Sequence, residues 1–211
     1  MARRWQEDWA AGNTAVAKTS SSDDYVRFDE IKDVLASVDL IALLAPLVGE
    51  KPLHWKWMIV GAHDALQGAM VCAFADSTET SILENKSAAA ILSWFNAGED
   101  TRGKYPDERL ASFGELLDRC IAGRPDFEPL VLKPDQLKDI ERLHDDFRNH
   151  FAHFTPKGWG IEKVGLPRII EATLDVVKEL MNRGQVTRRM EEDQRERLDK
   201  TLKTAKLALP S

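Results

Sequence analysis

Apolar residues recur at helical spacing in one segment of this chain after another, with turn residues between the segments. Phe28, Ile31, Leu35, Val38 and Ala42 fall on one face of a first helix. Ser22, Asp23 and Asp24 offer N-cap chemistry for it, and Pro46 and Gly49 end it. Pro52 opens a second helix running to about Ala75, apolar nearly all round and so expected at the centre of the fold. Its polar residues Lys56, His63 and Gln67 share one stripe, with Asp64 beside it. A third helix fits Glu84 to Ala97, and a fourth Asp107 to Ala122, between loops at 98–106 and at Gly123-Arg124-Pro125. Pro134 launches a fifth helix, which must stop by Thr155 because Pro156 disfavours helical geometry in the residue before it. Pro167 opens a sixth, with Ile170, Leu174, Val177 and Met181 facing the core and Gly184 at its end.

Residues 186–207 form a last, highly charged helix in which only Val186, Met190, Leu198 and Leu202 are spaced to pack. It reads as an appendage or a partner-binding strut. No internal repeat, low-complexity tract or strand pair interrupts the pattern. The expectation is an all-α fold, a helical bundle of about five to seven helices. Residues 1–22 would be a flexible N-terminal arm, 23–184 the helical domain and 185–211 a charged C-terminal helix.

Composition narrows the function. At 211 residues and 43% hydrophobic content the chain can bury a full core as one domain. A net charge of −6 with both signs interspersed excludes a surface that grips nucleic acid through bulk positive charge, so any polyanion needs a local basic patch. Cys72 and Cys120 lie in apolar helical patterns and read as small buried hydrophobes in a reducing compartment. Arg3 and Arg4 are followed by Trp5-Gln6-Glu7-Asp8 rather than an apolar signal region. The run from Val34 to Val48 is broken by Asp39 and closed by Pro46, too short to cross a membrane. A cytoplasmic protein is expected. The tryptophans at 5, 9, 55, 57, 94 and 159 read as core or interface packing rather than as base-stacking platforms, without basic interleaving.

The chemically distinctive segment is Arg148-Asn149-His150-Phe151-Ala152-His153. On a helical wheel, Leu137, Ile140, Leu143, Phe147, Phe151 and Phe154 make the apolar face of the fifth helix. Arg142, Asp146, Asn149 and His153 form a polar stripe opposite, covered by water or by a second subunit. His144 falls beside Ile140 and Phe147 and reads as a core or edge histidine. His63 and Asp64 read as a buried His–Asp hydrogen bond, and His54 as structural. His150 and His153 near a helix end also suit the helix dipole, and Arg148 could pair with Asp145 or Glu141.

This segment resembles the R-x(4–6)-H signature of HEPN domains, in which a polar residue, often Asn, follows the Arg. The resemblance is firmest over residues 134–183 and implies a small helical bundle with the signature on a late helix. It also implies a toxin or phage-defence ribonuclease that cuts RNA without metal at a composite homodimer interface, leaving 2′,3′-cyclic phosphate ends. His153 would then be the general base or acid, Arg148 the stabiliser of the phosphorane, and Asn149 an orienting group. His150, Lys157 and Lys163 would hold substrate. An antitoxin or a nucleotidyltransferase is the expected protein partner. Some HEPN domains are instead non-catalytic modules that bind a nucleotide or a partner protein, and that alternative stays open.

Arg148 and His153 are five residues apart and diverge by about 140° on a regular helix. Either the helix loosens near Pro156 or Arg148 of one subunit works with His153 of another. No metal or cofactor is expected. HExxH is absent, no His…His-Asp…Asp set can be assembled, and His150 and His153 diverge by about 60°.

Overall fold

The computed structural model describes residues 25–97, 103–152 and 158–210. Among these the regular structure is helical, with no strand and two isolated β-bridges, Leu83 to Leu110 and Arg124 to Phe127. Helix α1 spans Glu30–Leu44, α2 Trp55–Phe74, α3 Asn85–Asn96 and α4 Phe113–Ala122. Helix α5 is one rod in three registers: α-helical over Pro134–Arg142, π-helical over Leu143–Arg148, and α-helical again over Asn149–Ala152. Then come α6 (Leu166–Met181), a single turn α7 (Gly184–Thr187) and α8 (Glu192–Leu207).

Helix α2 is the axis of the bundle, as its apolar circumference predicts. Met58, Ile59, Ala62, Ala65, Leu66, Ala69 and Met70 are wholly enclosed. Small residues let its neighbour α1 come close: a Cβ added at Gly68 would sit 2.8 Å from the Val34 side chain. Helices α1 and α6 flank α2 most extensively, and α4 and the π segment of α5 close the remaining sides.

Three boundaries differ from the sequence expectation: the charged segment expected as one helix over 186–207 is the turn α7 followed by α8 from Glu192, and two earlier helices start late. Helix α1 starts at Glu30, because the Asp29 side chain accepts the Lys32 backbone N–H and caps it there. Phe28 therefore precedes the helix and is 69% exposed. The caps expected at Ser22, Asp23 and Asp24, and the 1–22 arm, lie outside the described residues. Helix α4 begins at Phe113 instead of Asp107. Ser112 and Glu115 cap each other reciprocally, while Glu84 N–H donates to Arg109 O and Ala111 N–H to Ile82 O. Those cross-links hold the preceding residues extended.

The last helix packs on the bundle. Leu198, Leu202 and Ala205 are buried against α1 and α6, and Arg197 pairs with Asp39 and Lys206 with Asp175. Val186 and Met190 are buried in the approach to it. No helix among the described residues is long and apolar enough to cross a membrane. Cys72 and Cys120 are buried free thiols, and burial pushes each up to about 12, which suppresses thiolate chemistry.

Gly123 closes α4 with φ +70°, and a Cβ there would lie 2.7 Å from the Pro129 ring and 2.9 Å from the Phe127 carbonyl oxygen. Gly123→Ala is expected to lower unfolding free energy by about 1–3 kcal/mol in urea titration. Gly114→Ala, on an open face of the same helix, should instead change it by no more than about 1 kcal/mol, towards stability.

Candidate functional site

The π segment decides how the Arg148–Asn149 pair is presented. In it the Asn149 backbone N–H donates to His144 O, a five-residue step, so Asn149 stacks above His144. An unbroken α-helix would put those two about 140° apart, with Asn149 on the face opposite the core. The observed register corrects that picture: Asn149 and Arg148 are half-buried, with Ile140, Leu143 and Phe147 still in the core. Arg142 and Asp146 keep the polar stripe expected of them, 3.4 Å apart on the outer face.

Arg148 has no acidic partner among the described residues. Its guanidinium reaches Asn149 Oδ1 at 3.4 Å, and neither Asp145 nor Glu141 pairs with it. A half-buried guanidinium beside a primary amide, with no described carboxylate paired to it, is an arrangement suited to receiving an anion. His153 and Lys157, both expected in the site, lie outside the described residues, as does Phe154.

One turn before Arg148, His144 joins a cluster that the sequence reading left as packing. His63, fully enclosed on α2, lies 2.9 Å from His144 through Nε2 and Nδ1. The ring of Phe113 from α4 lies 4.5 Å from each imidazole, nearly parallel to both. The two imidazoles are thus edge to edge under a common aromatic lid. His63 Nδ1 also faces Asp64 Oδ1 at 3.4 Å, the expected His–Asp contact, while its principal partner is His144. Burial lowers the His144 pKa from the ordinary histidine value, with the neighbouring His63 and Arg148 acting the same way and Asp145 opposing.

On the other side of the segment, α5 meets the loop after it and the start of α2 around a cavity of about 640 Å³. Phe151 and Trp159 lie 4.9 Å apart, and His150 lies 5.2 Å from Trp159. Trp57, 50% exposed, forms the opposite wall with Lys56 Nζ 4.8 Å from its ring centre. Lys163 lines the rim, and neither lysine is in an ion pair among the described residues.

The structure thus brings Lys163 to the groove and sets His150, which follows Arg148 and Asn149 on α5, against the Trp159 that lines it. It also corrects the reading of the tryptophans. Trp55 is buried packing, but Trp57 and Trp159 present aromatic surface to a groove with basic groups between them. The signal was in the sequence as Trp55-Lys56-Trp57. The His63–His144 link carried no such signal, since it joins residues 81 positions apart.

A histidine held below its ordinary value contributes stability that is complete above its unfolded value and is lost as pH falls through its folded one. Melting temperature should therefore drop as pH is lowered from about 7 to about 5, and the drop should be shallower in His144→Gln. An equal or steeper drop in that variant would show that His144 is not a source of the acid sensitivity.

No protein-family model matches the chain, and comparison with curated proteins and with solved structures finds no match either.

Proposed function

We propose that this protein is a metal-independent endoribonuclease, a toxin or defence effector of the HEPN type, acting as a homodimer with Arg148, Asn149 and His153 at the point of cleavage. The observation that carries the reading is the pairing of an Arg148–Asn149 couple that no described carboxylate neutralises with an aromatic, lysine-rimmed groove beside the same helix. Residues 148 and 151 are separated by a rise of about 4.5 Å, less than one nucleotide step of an extended strand. A phosphate at Arg148 and a base against Phe151, Trp159 or Trp57 fit a single strand whose unstacked bases are free to lie on rings. The lysines supply the local positive charge that a chain of net charge −6 otherwise lacks.

In the reaction, the ribose 2′-oxygen attacks the adjacent phosphorus, the bond from phosphorus to the 5′-oxygen breaks, and a cyclic phosphate and a free 5′-hydroxyl result. Arg148 binds the non-bridging oxygens as negative charge builds on them. Asn149 orients an oxygen of the same phosphate, and His153 moves a proton. His150 and Lys163, at the groove, hold the flanking nucleotide.

The groove's volume of about 640 Å³ also favours a second reading, a non-catalytic module that holds one nucleotide. An RNA cleavage assay in EDTA separates the two, with Arg148→Ala and His153→Ala beside the wild type and dimeric mass as the control for folding. The nuclease reading expects wild-type cleavage to cyclic-phosphate ends and two folded, dead variants. Binding of mononucleotide without cleavage of any RNA would favour the module. On either reading Trp57→Ala and Trp159→Ala should each weaken single-stranded RNA or nucleotide binding by about 1–3 kcal/mol in fluorescence titration.

A further inference from the structure

Asp64, His63 and His144 stand in line, from the outer edge of α2 through the packed layer to the π segment of α5. The closer of two carboxylate contacts, His63 Nδ1 to Asp64 at 3.4 Å against His144 Nε2 to Asp145 at 3.9 Å, sets the protons in this line. His63 Nδ1 faces a carboxylate oxygen, and a lone pair there would oppose its charge, so Nδ1 carries the hydrogen. In neutral His63 the other nitrogen, Nε2, is then bare and must accept. His144 Nδ1 therefore donates the 2.9 Å bond, which leaves the lone pair of His144 at Nε2.

That nitrogen is on the accessible side of the cluster. The His144 side chain is 24% exposed, and Nε2 lies 3.9 Å from the exposed carboxylate of Asp145. Phe113 covers the faces of both rings, so the imidazole is fixed in plane as well as in tautomer. Arg148 lies one turn further along the rod, near enough for its charge to act on the His144 ring. A phosphate held by Arg148 thus brings a ribose within range of an oriented, neutral imidazole.

We propose that His144 is the general base that accepts the ribose 2′-hydroxyl proton, with His63 as the positioning residue that fixes its tautomer and Asp64 behind it. This inference rests on the ribonuclease reading and adds a residue to its site. The proton passes from O2′ to His144 Nε2 as the bond from O2′ to phosphorus forms. As the bond from phosphorus to O5′ breaks, O5′ takes a proton, the step that the ribonuclease reading leaves to His153, and His144 later returns its own to water. The imidazolium formed in between donates through Nδ1 to His63, whose own Nδ1–H points at Asp64, so the new charge is met by a carboxylate across one ring. The charged and titratable groups facing His144 are Asp145 and Arg148 from α5 and His63 and Asp64 from α2. Helix α4 contributes only the uncharged Phe113 ring. Burial keeps the base unprotonated near neutral pH.

The test is the pH dependence of kcat for RNA cleavage in EDTA, with wild type, Arg148→Ala, His144→Ala and His63→Gln, each checked for helix content and dimeric mass. His144→Ala is expected to lose about 10²-fold or more in kcat with little change in KM. Added imidazole should restore part of that rate, which a purely structural loss would not allow. His63→Gln should lower kcat less than His144→Ala does and move the acid limb of the profile, because the ring that fixes the His144 tautomer is gone; this arm decides if His144→Ala does not fold. A folded His144→Ala with wild-type kcat, absent imidazole rescue, or an unmoved limb in His63→Gln overturns the role of His144. If Arg148→Ala is dead in that same experiment, the nuclease reading survives the loss. A wild type silent on every RNA removes both.

Discussion

Burial of most of helix α2's circumference is the constraint from which the other positions follow. A helix with so narrow a polar edge cannot lie on a surface, so partners must cover most of it. Small residues admit α1 at van der Waals range, α6 packs alongside, and α4 and the middle of α5 close what is left. Such a core leaves little freedom for a polar group. His63 stands wholly inside it, and a buried imidazole without a partner costs on the order of 1–3 kcal/mol. His144 meets that demand, and the rod that carries it is drawn in at the same point.

The π turn is the backbone's answer to two competing requirements on α5. Ile140, Leu143 and Phe147 must face the core, and His144, between them, must reach His63. The wider turn accommodates both, and it rotates everything after Leu143 relative to an ordinary helix. Arg148 and Asn149 come to the edge of the core instead of the outer face. A structural need of the interior thereby sets the aim of the one segment whose residue types suggest chemistry.

Much of this was legible beforehand. Proline at the starts of α5 and α6, the break at Pro46 and Gly49, and the apolar stripes placed four of the helices within a few residues. The Ser112–Glu115 cap, which moves the start of α4 to Phe113, was readable too, but the apolar residues at 110, 111 and 113 masked it. What could not be read was the π turn, since periodicity assumes one register per helix and this one changes register for a contact 81 residues away. The groove escaped for a related reason. Its walls come from residues near 57 and near 151–163, and only folding shows that Trp57 and Trp159 face each other's space. Arg148 and Asn149 were identified by type and neighbourhood, but their half-buried setting depends on the same shift.

The ion pairs that clasp α8 to the bundle have a bearing on synthesis. Glu30 is joined to Arg189 and Asp39 to Arg197, links that span 159 and 158 residues. The buried face of α1 is therefore incomplete when α1 leaves the ribosome. It stays so for roughly 8–30 seconds at ordinary elongation rates, until α8 has followed. During that interval the face of α1 that α8 covers stays open, as chain segments do before their partners are made. The clasp makes α1 wait on α8, so a chain stalled before α8 has emerged keeps its first helix partly unsheltered.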